Sequence, residues 1–209
     1  MRTRIKICGI IDPDDARQAA SAGVDAIGLV FHPPSRRHVT PDQAAAVINA
    51  LPPFVSVVGL FLNPSADAVH EILRRLPIDQ LQFHGTESPE FCRQFSRRYL
   101  KALGMAGDVA GLSVRVAEHE TAAGFLLDSH APGGQGGTGE VFDWSSFPRS
   151  YPRPLVLAGG LRCDNVAAAV RQCRPFAVDV SSGVERQPGR KCPELVSKFV
   201  SEVRRGEDE

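Results

Sequence analysis

The sequence lacks the features that mark several common classes of protein. It has no net charge, because 24 basic residues balance 24 acidic ones, so no overall field attracts the chain to nucleic acid or to an anionic membrane. Its strongest apolar run, FVSVVGLFL, is too short to span a bilayer, and the N-terminus has no apolar signal-peptide segment. These absences predict a cytoplasmic protein with a small-molecule partner and no nucleic-acid or membrane partner.

The spacing of the five cysteines matches no recognised cysteine motif. They make no C-x-x-C pair and no Cys/His group with zinc spacing, and their odd number argues against a disulfide framework, so we predict cytosolic thiols and no metal site. Cys92, Cys163, Cys173 and Cys192 fall on predicted helices or just before one, which indicates packing residues. Cys8 is different because it ends the strand-like run RIKIC and precedes a glycine. It is either a packing residue or a nucleophile or base at a rim.

What the sequence does contain is a repeated strand-and-helix unit. A capping residue followed by proline, typical of a helix N-cap and first helical position, occurs at Asp12-Pro13, Thr40-Pro41, Asn63-Pro64 and Ser88-Pro89. A short run rich in Val, Ile, Leu or Phe precedes each pair, and a pattern of helical period follows it. The first half of the chain is therefore predicted to form four βα units.

The second half contains four more short apolar runs, which are YLKALGM, AGFLLDSH, PLVLAGG and PFAVDVSSG. Eight apolar strands that alternate with helices indicate a parallel sheet covered by helices. The predicted fold class is therefore α/β, in the form of a single (β/α)8 TIM barrel. One domain is expected to span residues 1–209, with residues 206–209 as a frayed tail.

In such a barrel the active site lies at the carboxyl ends of the strands. The residues that the sequence places there are Cys8, Arg36, Arg37, His84, Asp128, Gly159, Gly160, Ser181, Ser182 and Gly183. The glycines and serines follow strands 7 and 8, where backbone N–H groups and a helix N-terminus often bind phosphate. They could instead only close tight turns, but their joint occurrence at these two strands favours a phosphate site.

Alternatives stay open for the other polar candidates. Asp128 could be a cap or a general acid. One of the two arginines in HPPSRRHV could hold a carboxylate bidentately, while whichever points outward would be a solvated surface residue. His84 is either a satisfied histidine or a direct participant. The glycine-rich segment 132–140 is predicted to be a mobile active-site loop rather than a linker.

Seven stretches, in order from position 5 to about 190, carry a resemblance to a known family. They are KICGI, FHPPSRRHV, QFHG, LLD, GGTGEVFDW, LAGGL and FAVDVSSGVE. Together they resemble the N-(5'-phosphoribosyl)anthranilate isomerases of tryptophan biosynthesis. The resemblance implies an Amadori rearrangement of phosphoribosylanthranilate to 1-(2-carboxyphenylamino)-1-deoxyribulose 5-phosphate, and proton transfers of this kind need neither a metal nor an organic cofactor.

The resemblance also implies roles for particular residues. Cys8 matches the family's general base and Asp128 its general acid, while Arg37, not Arg36, matches the arginine that holds the anthranilate carboxylate. The implied phosphate-binding residues are Gly159, Gly160, Ser182 and Gly183, with His84 as a possible substrate contact. Phe83 departs from the leucine that is usual in the family, which could alter packing beside the aromatic ring of the substrate.

Three other functions fit the sequence less well. The related isomerase of histidine biosynthesis uses an aspartate where Cys8 stands and needs a second phosphate site, yet no glycine-rich loop follows strand 3. A non-catalytic barrel that binds a phosphorylated ligand would have no reason to keep Cys8 and Asp128. A doubly wound nucleotide-binding domain is disfavoured because no strand leads into G-x-G-x-x-G. The sequence leaves monomer and homodimer equally open.

Overall fold

The first strand of the sheet pairs with the last, which closes the sheet into a barrel. The computed structural model describes residues 2–105, 112–129, 143–148 and 151–208. All eight barrel strands are parallel, in the order of the chain, and β1 pairs with both β2 and β8. The strands are β1 (Arg4–Cys8), β2 (Ala26–Val30), β3 (Ser56–Phe61), β4 (Gln80–Phe83), β5 (Tyr99–Gly104), β6 (Gly124–Asp128), β7 (Leu155–Leu157) and β8 (Ala177–Val180). The predicted (β/α)8 barrel is confirmed.

Helices follow the strands and cover the outside of the barrel. They are α1 (Pro13–Ser21), α2 (Pro41–Asn49), α3 (Ala66–Arg75), α4 (Pro89–Arg93), α5 (Leu112–Glu118), α6 (Val166–Cys173) and α7 (Pro193–Asp208). In the described part of the connection from β6 to β7, residues Trp144–Ser146 form a 3-10 turn. A short antiparallel hairpin, β9 (Glu185–Gln187) and β10 (Arg190–Lys191), lies between β8 and α7. None of the helices among the described residues has the length and apolar composition that a membrane crossing requires.

Three of the four predicted capping pairs begin helices as expected, and one does not. The side chains of Asp12, Thr40 and Ser88 accept hydrogen bonds from the first turns of α1, α2 and α4. The prediction for Asn63 is wrong, because Ser65 caps α3. The Asn63 carboxamide instead accepts a hydrogen bond from the Thr86 N–H at 2.8 Å, so it joins the loops that follow β3 and β4.

The alternation of side chains along β4 places Phe83 outside the barrel. Gln82 and His84 line the cavity described below, whereas Phe83 contacts Phe91 and Phe95 with ring centroids 5.8 Å away in each case. Phe83 is fully buried in this aromatic cluster. The expectation that it packs beside the substrate ring is therefore wrong, because neighbouring residues of a strand face opposite sides of the sheet.

The C-terminal residues belong to a helix rather than to a frayed tail. Helix α7 continues to Asp208, and the Glu207 carboxylate accepts a hydrogen bond from the Thr3 N–H. Gly206 is buried, and a Cβ atom there would lie 2.6 Å from the Ala167 carbonyl oxygen. The prediction of fraying is wrong for residues 206–208, because this glycine lets α7 lie directly against α6.

Candidate active site

A cavity of about 370 Å³ opens at the carboxyl ends of the barrel strands. Its lining includes seven of the eight residues to which the family resemblance gives a role, namely Cys8, Arg37, His84, Asp128, Gly159, Gly160 and Ser182. Gly183 lies behind the lining, where a Cβ atom would come within 2.0 Å of the Leu161 carbonyl oxygen. The glycine-rich segment 132–140, predicted to be an active-site loop, lies outside the described residues. The barrel topology thus brings residues from both halves of the chain to one opening.

Cys8 ends β1 and is 7% exposed, so its thiol faces the cavity with little contact with bulk water. Burial raises the pKa of this thiol above its ordinary value, while the nearby Lys6 ammonium opposes that rise. Lys6 in turn donates a hydrogen bond from Nζ to Asp179 Oδ1 at 2.9 Å. A buried ion pair therefore lies directly beneath the thiol, inside the barrel.

The β9–β10 hairpin connects Arg37 to the strand that carries Cys8. Glu185 accepts two hydrogen bonds from Arg37, from Nε and from Nη2, each at 2.8 Å. Lys191 donates from Nζ to Glu185 Oε1 at 2.8 Å and to the Cys8 carbonyl oxygen at 2.7 Å. Burial raises the pKa of Glu185, but the two cations outweigh burial and hold it below its ordinary value. Glu185 therefore stays a carboxylate and fixes both cations.

Of the two adjacent arginines, Arg37 is the one held in place. Its side chain is 20% exposed, whereas Arg36 is exposed although it also borders the cavity. Gly9, which has φ +73°, lies under the Arg37 side chain, and a Cβ atom there would come 2.4 Å from Arg37 Cδ. Since a guanidinium has five N–H donors and Glu185 takes two, three donors are left for a ligand carboxylate.

Asp128 ends β6 and is 8% exposed. Its Oδ2 atom lies 3.7 Å from His84 Nε2, and its Oδ1 accepts a hydrogen bond from Ser129 Oγ at 3.4 Å. His84 is itself held by Gln82, whose Nε2 lies 3.1 Å from His84 Nδ1. The imidazole is thus placed between two polar side chains, one of which is the candidate acid.

The glycines that follow β7 have a backbone suited to binding an anion. Gly159 and Gly160 have φ +83° and +63°, a conformation that other residues rarely adopt. Within the described ranges, neither amide N–H of this pair donates to a protein acceptor. The Asn165 carboxamide holds the loop by donating to the Gly160 carbonyl oxygen at 2.9 Å. Ser182–Val184 form a 3-10 turn, and Gly159, Gly160 and Ser182 line the same cavity.

Four charged residues around the thiol were not predicted from the sequence, and these are Lys6, Asp179, Glu185 and Lys191. Two of them carried a signal that could have been used. Lys6 and Asp179 are charged residues within otherwise apolar parallel strands, and such residues are buried only when they are paired. Glu185 and Lys191 carried no comparable signal, because their hairpin has no counterpart in the βα repeat.

These observations define the class of protein. A closed (β/α)8 barrel with a polar cavity at the carboxyl ends of its strands, lined by a thiol, a carboxylate, an imidazole and a guanidinium, is a barrel enzyme that acts on a small molecule. In the part of the chain that the structure describes, no group of three or more His, Cys, Asp or Glu side chains is arranged to hold a metal ion.

Comparison with known proteins identifies the family. The family model described as "N-(5'phosphoribosyl)anthranilate (PRA) isomerase" matches residues 5–202. A relative of that name from Pseudomonas paraeruginosa is 53% identical over 208 residues, covering 99% of this chain and 98% of the relative. The chain therefore belongs to the N-(5'-phosphoribosyl)anthranilate isomerase family.

Solved structures agree with this assignment. One is a phosphoribosyl anthranilate isomerase in complex with reduced 1-(o-carboxyphenylamino)-1-deoxyribulose 5-phosphate. It is 34% identical to this chain with a TM-score of 0.82, and the match covers 97% of this chain and 98% of the solved one. Another is described as monomers of the dimeric phosphoribosylanthranilate isomerase from Thermotoga maritima; it has a TM-score of 0.85 and 34% identity, with the same coverage.

Proposed function

We propose that this chain isomerises N-(5'-phosphoribosyl)anthranilate to 1-(2-carboxyphenylamino)-1-deoxyribulose 5-phosphate, a step of tryptophan biosynthesis, with Cys8 as general base and Asp128 as general acid. The observation that carries the proposal is that the Cys8 thiol and the Asp128 carboxyl group line one cavity, from strands separated by β7 and β8. A reaction that adds a proton at one atom and removes a proton from another is accelerated by an acid and a base placed within reach of those two atoms.

The steps follow from the chemistry of the substrate. Asp128 donates a proton to the furanose ring oxygen, and the ring opens to a protonated imine. The imine withdraws electrons from the adjacent carbon, so the Cys8 thiolate can remove the C2' proton and form an enolamine. Tautomerisation of the enolamine gives the ketone product. Each electron pair stays within the substrate, so the two side chains only move protons.

The other residues of the cavity bind the two ends of the substrate. Arg37 binds the anthranilate carboxylate with the donors that Glu185 leaves unused. The phosphate binds to the amides of Gly159 and Gly160 and to Ser182, next to the close contact that Gly183 permits. With both ends bound, the ribose lies across the middle of the cavity, where the acid and the base are.

The test of this function is direct. Phosphoribosylanthranilate, generated in situ, is mixed with the purified protein in metal-free buffer with a chelator, and the loss of anthranilate-type fluorescence is followed. Rapid loss of fluorescence is the expected result. A protein that is inactive on this substrate while folded would contradict the proposed function and would favour another sugar phosphate as substrate, or ligand binding without catalysis.

Replacing Arg37 by methionine is expected to raise KM by roughly 10- to 100-fold, because hydrogen bonds to a charged group contribute about 1.5–3 kcal/mol. The effect on kcat should be smaller, since the guanidinium binds a part of the substrate that does not react. Arg36→Met is the matched control, because the exposed Arg36 borders the same cavity. Steady-state kinetics measure both. Equal effects of the two substitutions would contradict the assignment of Arg37 to the carboxylate.

We also propose that residues 1–209 act as one domain and that the protein is a monomer or a homodimer. All the cavity residues named above come from one chain, so either state leaves the site complete. The relative from Thermotoga maritima is described as dimeric.

A further inference from the structure

Lys6 is a buried cation to which the proposed mechanism gives no role. It lies two residues before Cys8 on β1, so both side chains point to the inside of the barrel. Lys6 is 4% exposed, and its ammonium is paired with Asp179 at 2.9 Å. A buried ion pair is often no more stabilising than apolar side chains of similar size. Stability alone is therefore a weak reason for this pair to lie inside the barrel.

A glycine on the neighbouring strand lets the thiol and the ammonium lie side by side. Gly28 is the β2 residue in register with Cys8. A Cβ atom on Gly28 would lie 2.8 Å from Cys8 Sγ and 3.1 Å from Lys6 Nζ. Both functional groups thus occupy the space that a side chain at this position would need, and the Lys6 ammonium opposes the rise that burial causes in the pKa of the thiol. The register of β1 with β2 therefore places the thiol and the ammonium on the same side of Gly28.

Other charged or titratable groups also face the thiol from the surrounding elements. Asp179 comes from β8, Lys191 and Glu185 from the hairpin, Arg37 from the loop after β2, and His32, His84 and Asp128 from other parts of the cavity rim. Lys191 and Arg37 are both bound to Glu185, and the Lys191 ammonium contacts the backbone carbonyl of Cys8. Lys6 is therefore the cation that shares the space beside Gly28 with the sulfur, and it lowers the pKa of the thiol more than Lys191 does.

We propose that Lys6 is a positioning residue of the isomerisation: its ammonium, held by Asp179, stabilises the thiolate form of Cys8, the form that removes the substrate proton. This inference rests on the proposed function. Asp179 has a second effect, because its negative charge disfavours the thiolate and takes up part of the charge of Lys6. Removal of Lys6 and removal of the Asp179 charge should therefore change the thiolate population in opposite directions.

Alkylation of Cys8 by iodoacetamide as a function of pH tests this, because only the thiolate reacts. The Cys8 peptide is quantified by mass spectrometry in the wild type, Lys6→Met and Asp179→Asn. The pH midpoint of Cys8 alkylation is expected to rise by about one unit or more in Lys6→Met. At a fixed pH below the midpoint, a rise of one unit corresponds to about 10-fold less thiolate. The midpoint is expected to move down in Asp179→Asn. Cys192, which lies outside the cavity lining, provides a reference in the same samples.

Lys101→Met is the matched control. Lys101 is 3% exposed and is paired with Glu87 at 2.9 Å, so its loss removes an equally buried cation that is not in the cavity lining. The Cys8 midpoint should stay at the wild-type value. Circular dichroism shows which variants are folded, and if Lys6→Met does not fold, the downward shift in Asp179→Asn still tests the proposal.

The outcomes separate this inference from the proposed function. Alkylation needs no substrate, so a wild type that fails to isomerise phosphoribosylanthranilate would contradict the function whatever the midpoints are. An active wild type whose Cys8 midpoint is unchanged in both folded variants, or shifts in the reverse directions, would overturn the role of Lys6 alone. A matching shift of the acidic limb in the pH profile of kcat/KM for Lys6→Met would support the role of Lys6, because a merely structural lysine would not move that limb.

Discussion

Replacing Cys8 by serine is expected to lower kcat by roughly 100- to 10,000-fold, the range that positioned general bases contribute. A serine hydroxyl is close to the thiol in size but is a far weaker acid, so at neutral pH almost none of it is in the anionic form that removes a proton. The packing at the end of β1 should be conserved, because Cys8 contributes only a small side chain there. Stopped assays with long incubation measure the residual rate.

The pH dependence of the wild type gives a second measure of the same prediction. Burial raises the pKa of the Cys8 thiol, so the reactive thiolate is a minor form at neutral pH. Activity should therefore increase as the pH rises from neutral toward the pKa of the thiol. In Cys8→Ser this increase should be absent over the same interval.

Cys92→Ser is the control for the loss of a thiol. Cys92 is fully buried outside the cavity, and burial raises its pKa to about 12, so it has no thiolate to contribute. Its replacement should lower stability, because a polar hydroxyl takes the place of a fully buried thiol, but should leave kcat unchanged in folded protein. If both variants kept wild-type kcat, Cys8 would be only a packing residue.

Replacing Asp128 by asparagine is expected to lower kcat by a similar factor, again roughly 100- to 10,000-fold. The carboxamide has the same shape as the carboxyl group and can still contact His84 and Ser129, but it has no acidic proton for the furanose oxygen. Ring opening should therefore become the slow step, while KM should change little. Steady-state kinetics over a range of substrate concentrations separate the two parameters.

Asp164→Asn is the control for the loss of a carboxylate. Asp164 lies in the segment that follows β7, its side chain is 72% exposed and paired with Arg162, and it is not part of the cavity lining. Removal of its charge should leave kcat and KM close to the wild-type values. An Asp128→Asn variant with the kinetics of Asp164→Asn would contradict the role of Asp128 as the acid.

Much of the fold could be predicted because each βα unit carries its own local signals. Apolar runs marked the eight strands, and the side chains of Asp12, Thr40 and Ser88 cap helices as the dipeptide pattern indicates. Asn63 shows where local signals fail. Asn63 followed by proline resembles a helix cap. In the folded chain, however, its side chain accepts a hydrogen bond from Thr86 in the next βα unit.

The positions of the candidate acid and base were also predictable, because the sequence shows where each apolar strand ends. Cys8 and Asp128 each end an apolar run, and in a barrel of parallel strands all such ends lie at the same rim. The choice between Arg36 and Arg37 was different. It came from the family resemblance, and the physical cause, the Glu185 carboxylate and the space above Gly9, is a contact between distant parts of the chain.

The sequence by itself therefore determined the order of the strands and helices, the eight-unit barrel and the residues at its carboxyl rim, because these depend on local propensity and on the periodicity of apolar side chains. Only the tertiary structure decided the electrostatic surroundings of the thiol. The ion pair of Lys6 with Asp179 joins residues at opposite ends of the chain. A charge within an apolar strand indicates that some partner exists, but which charge pairs with which depends on closure of the barrel, and no local pattern describes that closure.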